Sequence, residues 1–180
     1  KAMRIAQQLY EGVDMGDGQP VGLITYMRTD STNVSKQAQD EARHFISEHY
    51  GGEFLPAKPP VYKTRAKAAQ EAHEAIRPTS VLRTPDAIKA QLSRDQFRLY
   101  DLIWRRFIAS QMTAAKYDTM TVEILAGTEE DKPYLFRASG STLRFPGFLV
   151  VYEEAKSENG EQEVTQQIPT LSVDDLLNLV

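Results

Sequence analysis

The stretch GLITYMRTDST, residues 22–32, is the one around which the rest of the chain can be arranged. Leu23, Ile24, Thr25 and Tyr26 are β-formers leading into Met27, Arg28 and Thr29, and the run breaks at Asp30-Ser31-Thr32-Asn33, a cluster of turn and cap residues. A strand over Gly22 to Thr29 places side chains two apart on one face, so Tyr26 and Arg28 point the same way with Ile24 behind them. A phenol oxygen can attack phosphorus. An arginine beside it can grip the phosphate with two N–H groups while stabilising charge on phosphate and phenolate alike. Tyr-x-Arg also arises in strands by accident, and these two residues by themselves do not separate a nucleophile from an ordinary strand aromatic beside a solvated cation.

Composition narrows the class. A chain of 180 residues with 41% hydrophobic content can bury one ordinary core or two small ones. There is no cysteine, which removes disulfides and thiolate zinc sites and accords with a reducing compartment. Nothing at Lys1 to Gly12 resembles a signal peptide, and no apolar run approaches the roughly 20 residues that span a bilayer, so the expected location is cytoplasmic, with no membrane partner. The start at Lys1 and the strand-like close at Leu176 to Val180 read as a piece of a longer protein. The net charge of −4 hides a split: residues 22–112 hold 14 Lys/Arg against 10 Asp/Glu, and the flanks 7 against 15. A basic middle between acidic flanks suits a phosphate-facing segment on a solvated support, although chance clustering of surface charge fits the count as well.

Arg4 to Glu11 carries Ile5, Ala6, Leu9 and Tyr10 at helical spacing, with Gly12 as the stop. Ser35 caps a predicted helix to about Tyr50, striped by Ala38, Ala42, Phe45, Ile46 and His49. His44 and His49 are not spaced as an i, i+4 ligand pair and read as structural or exposed. Pro56, Pro59 and Pro60 make Phe54 to Thr64 a stiff connector into the most basic part of the chain, Lys58 to Arg83, where Tyr62 can pack or stack a base. A short helix is predicted over Ala66 to Ile76, another from Thr84-Pro85 to about Leu92, and the longest over Arg94 to Met112, opened by a Ser93–Gln96 capping box. Its Phe97, Tyr100, Trp104, Phe107, Ile108 and Met112 read as core, with base stacking as the alternative for Trp104.

From Lys116 the period alternates. Strands are predicted at Thr119 to Leu125, Tyr134 to Ala138, Thr142 to Phe145, Phe148 to Glu153 and Leu176 to Val180, with a polar loop over Lys156 to Glu163. The expected class is α+β: a mostly helical unit, 21–112, inserted into a β-rich unit made by 1–20 and 113–180, because domain ends usually meet in one body.

A second stretch, EAHEAIRPT over residues 71–79, places His73 and Arg77 on one helical face, a protonatable donor beside a fixed cation that suits a phosphate. It is not a metalloprotease helix, since position 77 is Arg rather than the second His, and no other metal-ligand cluster is evident. No serine sits in a nucleophile elbow, so a Ser/His/Asp hydrolase is unsupported.

Together GLITYMRTDST and HEAIRPT, residues 73–79, resemble the type IA DNA topoisomerases. The lead RIAQQLYEG (4–12), the helical spacing between the motifs and FRASGSTLRFPGFLVVYEE (136–154) look like the bacterial members of that family too. The resemblance implies that Tyr26 is the nucleophile, cleaving and religating single-stranded DNA through a 5′-phosphotyrosine link, without ATP, to relax negative supercoils. It implies that Arg28 holds the scissile phosphate, that His73 and Arg77 contact the DNA, and that Asp30, Ser31 and Thr32 build the turn. It further implies Mg²⁺ bound by an acidic Toprim domain elsewhere in a full-length chain, with none bound by these residues. From this follow a monomer whose partners are single-stranded DNA and the remaining domains of its own chain, a nucleoid-associated location, a helical unit that swings as a gate, a β-rich supporting arch, and inactivity of these residues alone. The alternative is a non-catalytic single-stranded DNA-binding or interaction module with the same fold.

Overall fold

The computed structural model describes residues 1–16, 18–62, 73–127, 133–153 and 175. Its class is α+β, and its contacts group into two units: Lys1–Ala114 with Gly147–Glu153, and Ala115–Pro146 with Glu154–Val180.

The first unit is built on three helices, α1 (Ala2–Glu11), α2 (Lys36–His49) and α3 (Arg94–Ser110). Each begins or ends where the local chemistry dictates. Ser35 accepts from the Ala38 N–H at 3.4 Å to cap α2. At α3, Ser93 and Gln96 form the full reciprocal capping box, which satisfies two donors that a helix start leaves orphaned. The apolar stripes meet in one cluster: Ala6 and Leu9 of α1, Phe45 and Ile46 of α2, and Tyr100, Trp104, Phe107 and Ile108 of α3 are buried together with Leu23, Ile24 and Val81. Burying each large side chain contributes about 1.5–3 kcal/mol before ordering costs. Two aromatics on α3 also carry polar tips that find backbone partners. Trp104 Nε1 donates to the Val81 carbonyl at 3.0 Å and the Tyr100 hydroxyl to the Arg83 carbonyl at 2.7 Å, so α3 fixes the 81–83 segment as well as the core. Trp104 is thus a core residue; stacking on a base is ruled out by its burial against Phe45, 5.5 Å away at 88°.

Several sequence expectations change here. Residues 1–20 were grouped with the β-rich part, but α1 lies in the helical unit, because Ala6 and Leu9 have their apolar partners there. The predicted strand at Gly22 to Thr29 forms only an isolated antiparallel bridge, Ile24 to Pro78; proline has no N–H to continue a ladder. The segment is instead held singly by Leu23 N–H on the Leu9 carbonyl (2.7 Å), Thr25 N–H on the Arg77 carbonyl (2.9 Å) and Thr79 N–H on the Leu23 carbonyl (2.9 Å). Gly22 makes this approach possible: a Cβ there would stand 2.8 Å from the Tyr10 carbonyl oxygen. Small strands β1 (Val13–Asp14) and β2 (Pro20–Val21) close the loop before it. The helix predicted from Thr84 reduces to a turn followed by a 3₁₀ turn at Lys89–Gln91, and Phe148 to Glu153 opens with a 3₁₀ turn, Gly147–Val150, rather than a strand. Most of the helix predicted over Ala66 to Ile76 lies outside the described residues, and its described end, 73–76, is not helical. The loop at Lys156 to Glu163 and the strand at Leu176 to Val180 also lie outside the described residues.

In the second unit, β3 (Lys116–Ala126) and β4 (Tyr134–Phe145) form an antiparallel ribbon in continuous register from Tyr117↔Leu143 to Ala126↔Tyr134. Gly140, expected to separate two strands, lies inside β4 opposite Met120. Cross-strand pairs support it: Glu123 to Arg137 at 2.5 Å and Thr121 to Ser139 at 3.2 Å. Leu125, Tyr134, Leu135, Phe136 and Leu143 are exposed on it.

Candidate nucleophile and phosphate site

Core packing decides which way the residues around position 26 face. Leu23 and Ile24 are fully buried and Met27 packs against the same cluster, which anchors the segment from both sides. Between the anchors the Arg28 N–H donates to the Tyr26 carbonyl at 2.9 Å, a three-residue γ-turn centred on Met27. The regular strand alternation assumed from sequence therefore stops at Tyr26. The outcome for the two polar side chains is similar: with Met27 turned inward, Tyr26 is 55% exposed and the Arg28 side chain 40% exposed. The Tyr26 ring rests edge-on against Tyr10, with centroids 5.3 Å apart and planes at 69°. That contact orients the ring while more than half of the residue stays exposed.

Arg28 is held on two sides. Its Nε donates to both oxygens of Asp30, at 2.9 and 3.0 Å, and its Nη1 lies 3.3 Å from Nε2 of His73. Since a guanidinium can only donate, Nε2 accepts and the imidazole proton sits on Nδ1, which is buried without a hydrogen-bond partner among the described residues. His73 is fixed from behind, because the Ser31 hydroxyl donates to its backbone carbonyl and in turn accepts from the Asn33 N–H at 3.2 Å. Two further ties join the segments. The Thr25 hydroxyl donates to the Ala75 carbonyl at 2.7 Å and accepts from the Arg77 N–H at 2.9 Å, and the Ala75 N–H donates to the Asn33 carbonyl at 2.7 Å. The structure thus brings Arg28 and His73 together across 45 residues of chain.

Arg77 is placed differently. Residues 73–77 are not helical, so the shared helical face expected for His73 and Arg77 does not exist. The Arg77 side chain is only 11% exposed; Nη2 donates to Glu74 at 2.7 Å and Nη1 to the Pro78 carbonyl at 3.0 Å. Glu74 also accepts from the Ser35 N–H at 2.8 Å. Burial pushes the Glu74 carboxyl up, but the donors Arg77 and Ser35 outweigh it and hold it below its ordinary value. This clasp fixes the start of α2 to the His73 segment.

No group of three or more His, Asp or Glu residues that could hold a metal exists among the described residues, and Asp30, the carboxylate nearest Arg28, is engaged by its guanidinium.

A family model for DNA topoisomerase matches residues 1–180, the whole chain. The chain belongs to the type IA DNA topoisomerase family. Similar curated proteins include DNA topoisomerase 1 of Xylella fastidiosa, 51% identical over 163 residues, 91% of this chain and 20% of the relative. DNA topoisomerase 1 of Rickettsia conorii is 46% identical over 171 residues, 95% of this chain and 21% of the relative. Among solved structures, full-length topoisomerase I from Thermotoga maritima matches with a TM-score of 0.67 and 41% identity, over 88% of this chain and 24% of that one. The chain therefore spans about a fifth of the curated relatives it matches.

For this topoisomerase-family chain, two site residues escaped the sequence reading. Asp30 and Ser31 were taken only as turn-builders; the first also grips Arg28 and the second also ties down His73. An opposite charge two residues from Arg28 was a usable signal for Asp30. Nothing local marks Ser31, whose partner lies 42 residues away.

Proposed function

We propose that this chain supplies the nucleophile and the phosphate grip of a type IA topoisomerase, which cleaves and religates single-stranded DNA to relax negative supercoils. The observation that carries the reading is an exposed Tyr26 one γ-turn from an arginine that Asp30 and His73 hold in place. In the cleavage step the Tyr26 oxygen forms a bond to a backbone phosphorus and the bond from that phosphorus to the 3′ oxygen breaks. The phenol loses its proton, the departing 3′ oxygen gains one, and the DNA 5′ end remains as a phosphotyrosine ester. Religation is the reverse. One phosphodiester replaces another, so no ATP is needed.

Arg28 takes the non-bridging phosphate oxygens, where negative charge is greatest in the transition state. Asp30 occupies its Nε and His73 lies against Nη1, which leaves Nη2 of Arg28 for the phosphate, and contact with the DNA backbone beside it is assigned to His73. Arg77 supports this arrangement from behind through Glu74, although contact with the DNA backbone is assigned to it as well. Magnesium would be held by acidic residues elsewhere in the full-length protein, and these residues by themselves would not relax DNA. The partners are single-stranded DNA and the rest of the protein's own chain, acting as a monomer in the cytoplasm near the nucleoid, with the helical unit as the moving gate. Among the described residues no helix is long and apolar enough to cross a membrane.

The test uses the full-length enzyme with single-stranded DNA and a denaturing trap. The parent yields a protein–DNA adduct and Tyr26→Phe yields none. An adduct in the Phe variant overturns the assignment. Salt-sensitive DNA affinity with no adduct from the parent itself leaves the non-catalytic binding module as the reading.

A further inference from the structure

Tyr10, in the last turn of α1, carries the ring against which Tyr26 rests. Three contacts join that turn to the stretch holding Tyr26. Leu9, fully buried, accepts the Leu23 N–H on its carbonyl at 2.7 Å. The Tyr10 carbonyl stands so close to Gly22 that a Cβ there would lie 2.8 Å from its oxygen. The third is the ring pair itself, 5.3 Å between centroids at 69°, the edge-to-face arrangement that aromatic quadrupoles favour. The first two contacts set the backbones of residues 9–10 and 22–23 against each other, so the Tyr10 ring meets Tyr26 from a helix and not from a loop. Tyr10 is 42% exposed and lies outside the buried cluster, so its contact with Tyr26 is not a by-product of core packing. Among the described residues the Tyr26 phenol makes no hydrogen bond or ion pair, which leaves its orientation to this contact.

A nucleophilic oxygen reacts only from a narrow range of positions, about 3–3.5 Å from the phosphorus and in line with the leaving oxygen. An exposed tyrosine has several staggered rotamers to choose from, and most of them point its oxygen elsewhere. We propose that Tyr10 is a positioning residue for cleavage: its edge-to-face contact holds the Tyr26 ring near one rotamer and so aims the phenol oxygen in the folded chain itself. The inference rests on the reading of Tyr26 as the nucleophile. Its effect falls on the free phenol. Once the phosphotyrosine ester has formed, the DNA holds the ring from its oxygen end, and religation has less need of Tyr10. Loss of the Tyr10 ring therefore slows cleavage more than religation and lowers the ratio of cleaved to intact DNA.

The test is single-turnover cleavage and religation by the full-length enzyme at saturating single-stranded DNA, with the dissociation constant measured alongside. Tyr10→Leu and Tyr10→Gln replace the ring by an apolar and a polar chain. Both are expected to slow cleavage by about 3- to 10-fold, the range an aromatic pair supports, with religation and DNA affinity within about twofold of the parent. Tyr10→Phe keeps the ring and restores the parent rate. Folded Leu and Gln variants that cleave at the parent rate overturn the proposal, and so do a loss confined to affinity and a Phe variant as slow as the Leu variant. Variants that no longer melt cooperatively make Tyr10 a structural residue and overturn it too. Tyr26→Phe is run in parallel. An adduct in that variant overturns the nucleophile reading, whereas its absence there beside unchanged cleavage in the Tyr10 variants overturns this inference alone.

Discussion

Arg28 shows how much of a site can depend on one side chain's neighbours. A guanidinium on an exposed turn samples many rotamers, and ordering it at the moment of reaction would raise the barrier. Here Asp30 engages Nε through both carboxylate oxygens and His73 lies against Nη1, so the fork is already ordered in the folded chain. Removing it, Arg28→Ala, is expected to lower the cleavage rate of the full-length enzyme about 100- to 1,000-fold, with a smaller effect on single-strand affinity. A loss of affinity with unchanged cleavage rate at saturating DNA would reduce Arg28 to an anchor. Asp30→Asn leaves the guanidinium in place but loosens it; single-turnover cleavage should slow by about tenfold, with dissociation constants for DNA little changed. Lysine cannot replace Arg28, because an ammonium presents no planar fork to either partner.

Elements here are stabilised at their ends and by their polar tips as much as along their faces. The Ser93–Gln96 box closes the start of α3, so Ser93→Ala should cost about 1 kcal/mol of stability, readable as a lowered urea midpoint with an unchanged slope. Trp104→Phe keeps most of the apolar contact but leaves the buried Val81 carbonyl without its donor; a loss of about 1–3 kcal/mol is expected by the same measurement. The β3–β4 ribbon is the contrasting case. A two-stranded ribbon with exposed Leu125, Leu135, Phe136 and Leu143 has little core of its own, so a peptide of residues 115–146 should give a largely unstructured circular dichroism spectrum. The alternation of Met120, Val122 and Ile124 was enough to predict β3. Gly140 misled, because a glycine inside a ribbon only weakens pairing and does not end it.

On the scale of the molecule, acid is the condition that should undo the framework behind the site. Glu74 joins Ser35 at the start of α2 to Arg77, and its carboxyl is held below its ordinary 4.5 by those donors against the opposing effect of burial. A depressed carboxylate stabilises the fold fully above its ordinary value, and that contribution is lost as pH falls through the lower folded value. The melting temperature should therefore fall as pH drops below 4.5, and Glu74→Gln should lower the plateau at neutral pH and flatten that fall. An unchanged slope in the variant would exclude Glu74 as a source of the acid sensitivity. The segregation of charge, with the excess of Lys and Arg confined to residues 22–112, places cationic side chains on the same segment as Tyr26, as a phosphate-facing surface requires.

The sequence by itself determined the helices α1, α2 and α3, the caps that start α2 and α3, the aromatic stripe of α3 and the family. Each of these is written in near neighbours: a cap needs three residues, a stripe needs a period, and the motif around Tyr26 is contiguous. Only the tertiary structure decided that residues 22–27 are pinned by separate hydrogen bonds rather than paired in a strand, and that a γ-turn follows Tyr26. It alone set His73 against Arg28 and turned Arg77 toward Glu74. Those outcomes depend on Pro78 having no N–H to extend the pairing and on Ser31 and Thr25 reaching backbone carbonyls 42 and 50 residues away, and no local pattern encodes partners at that distance.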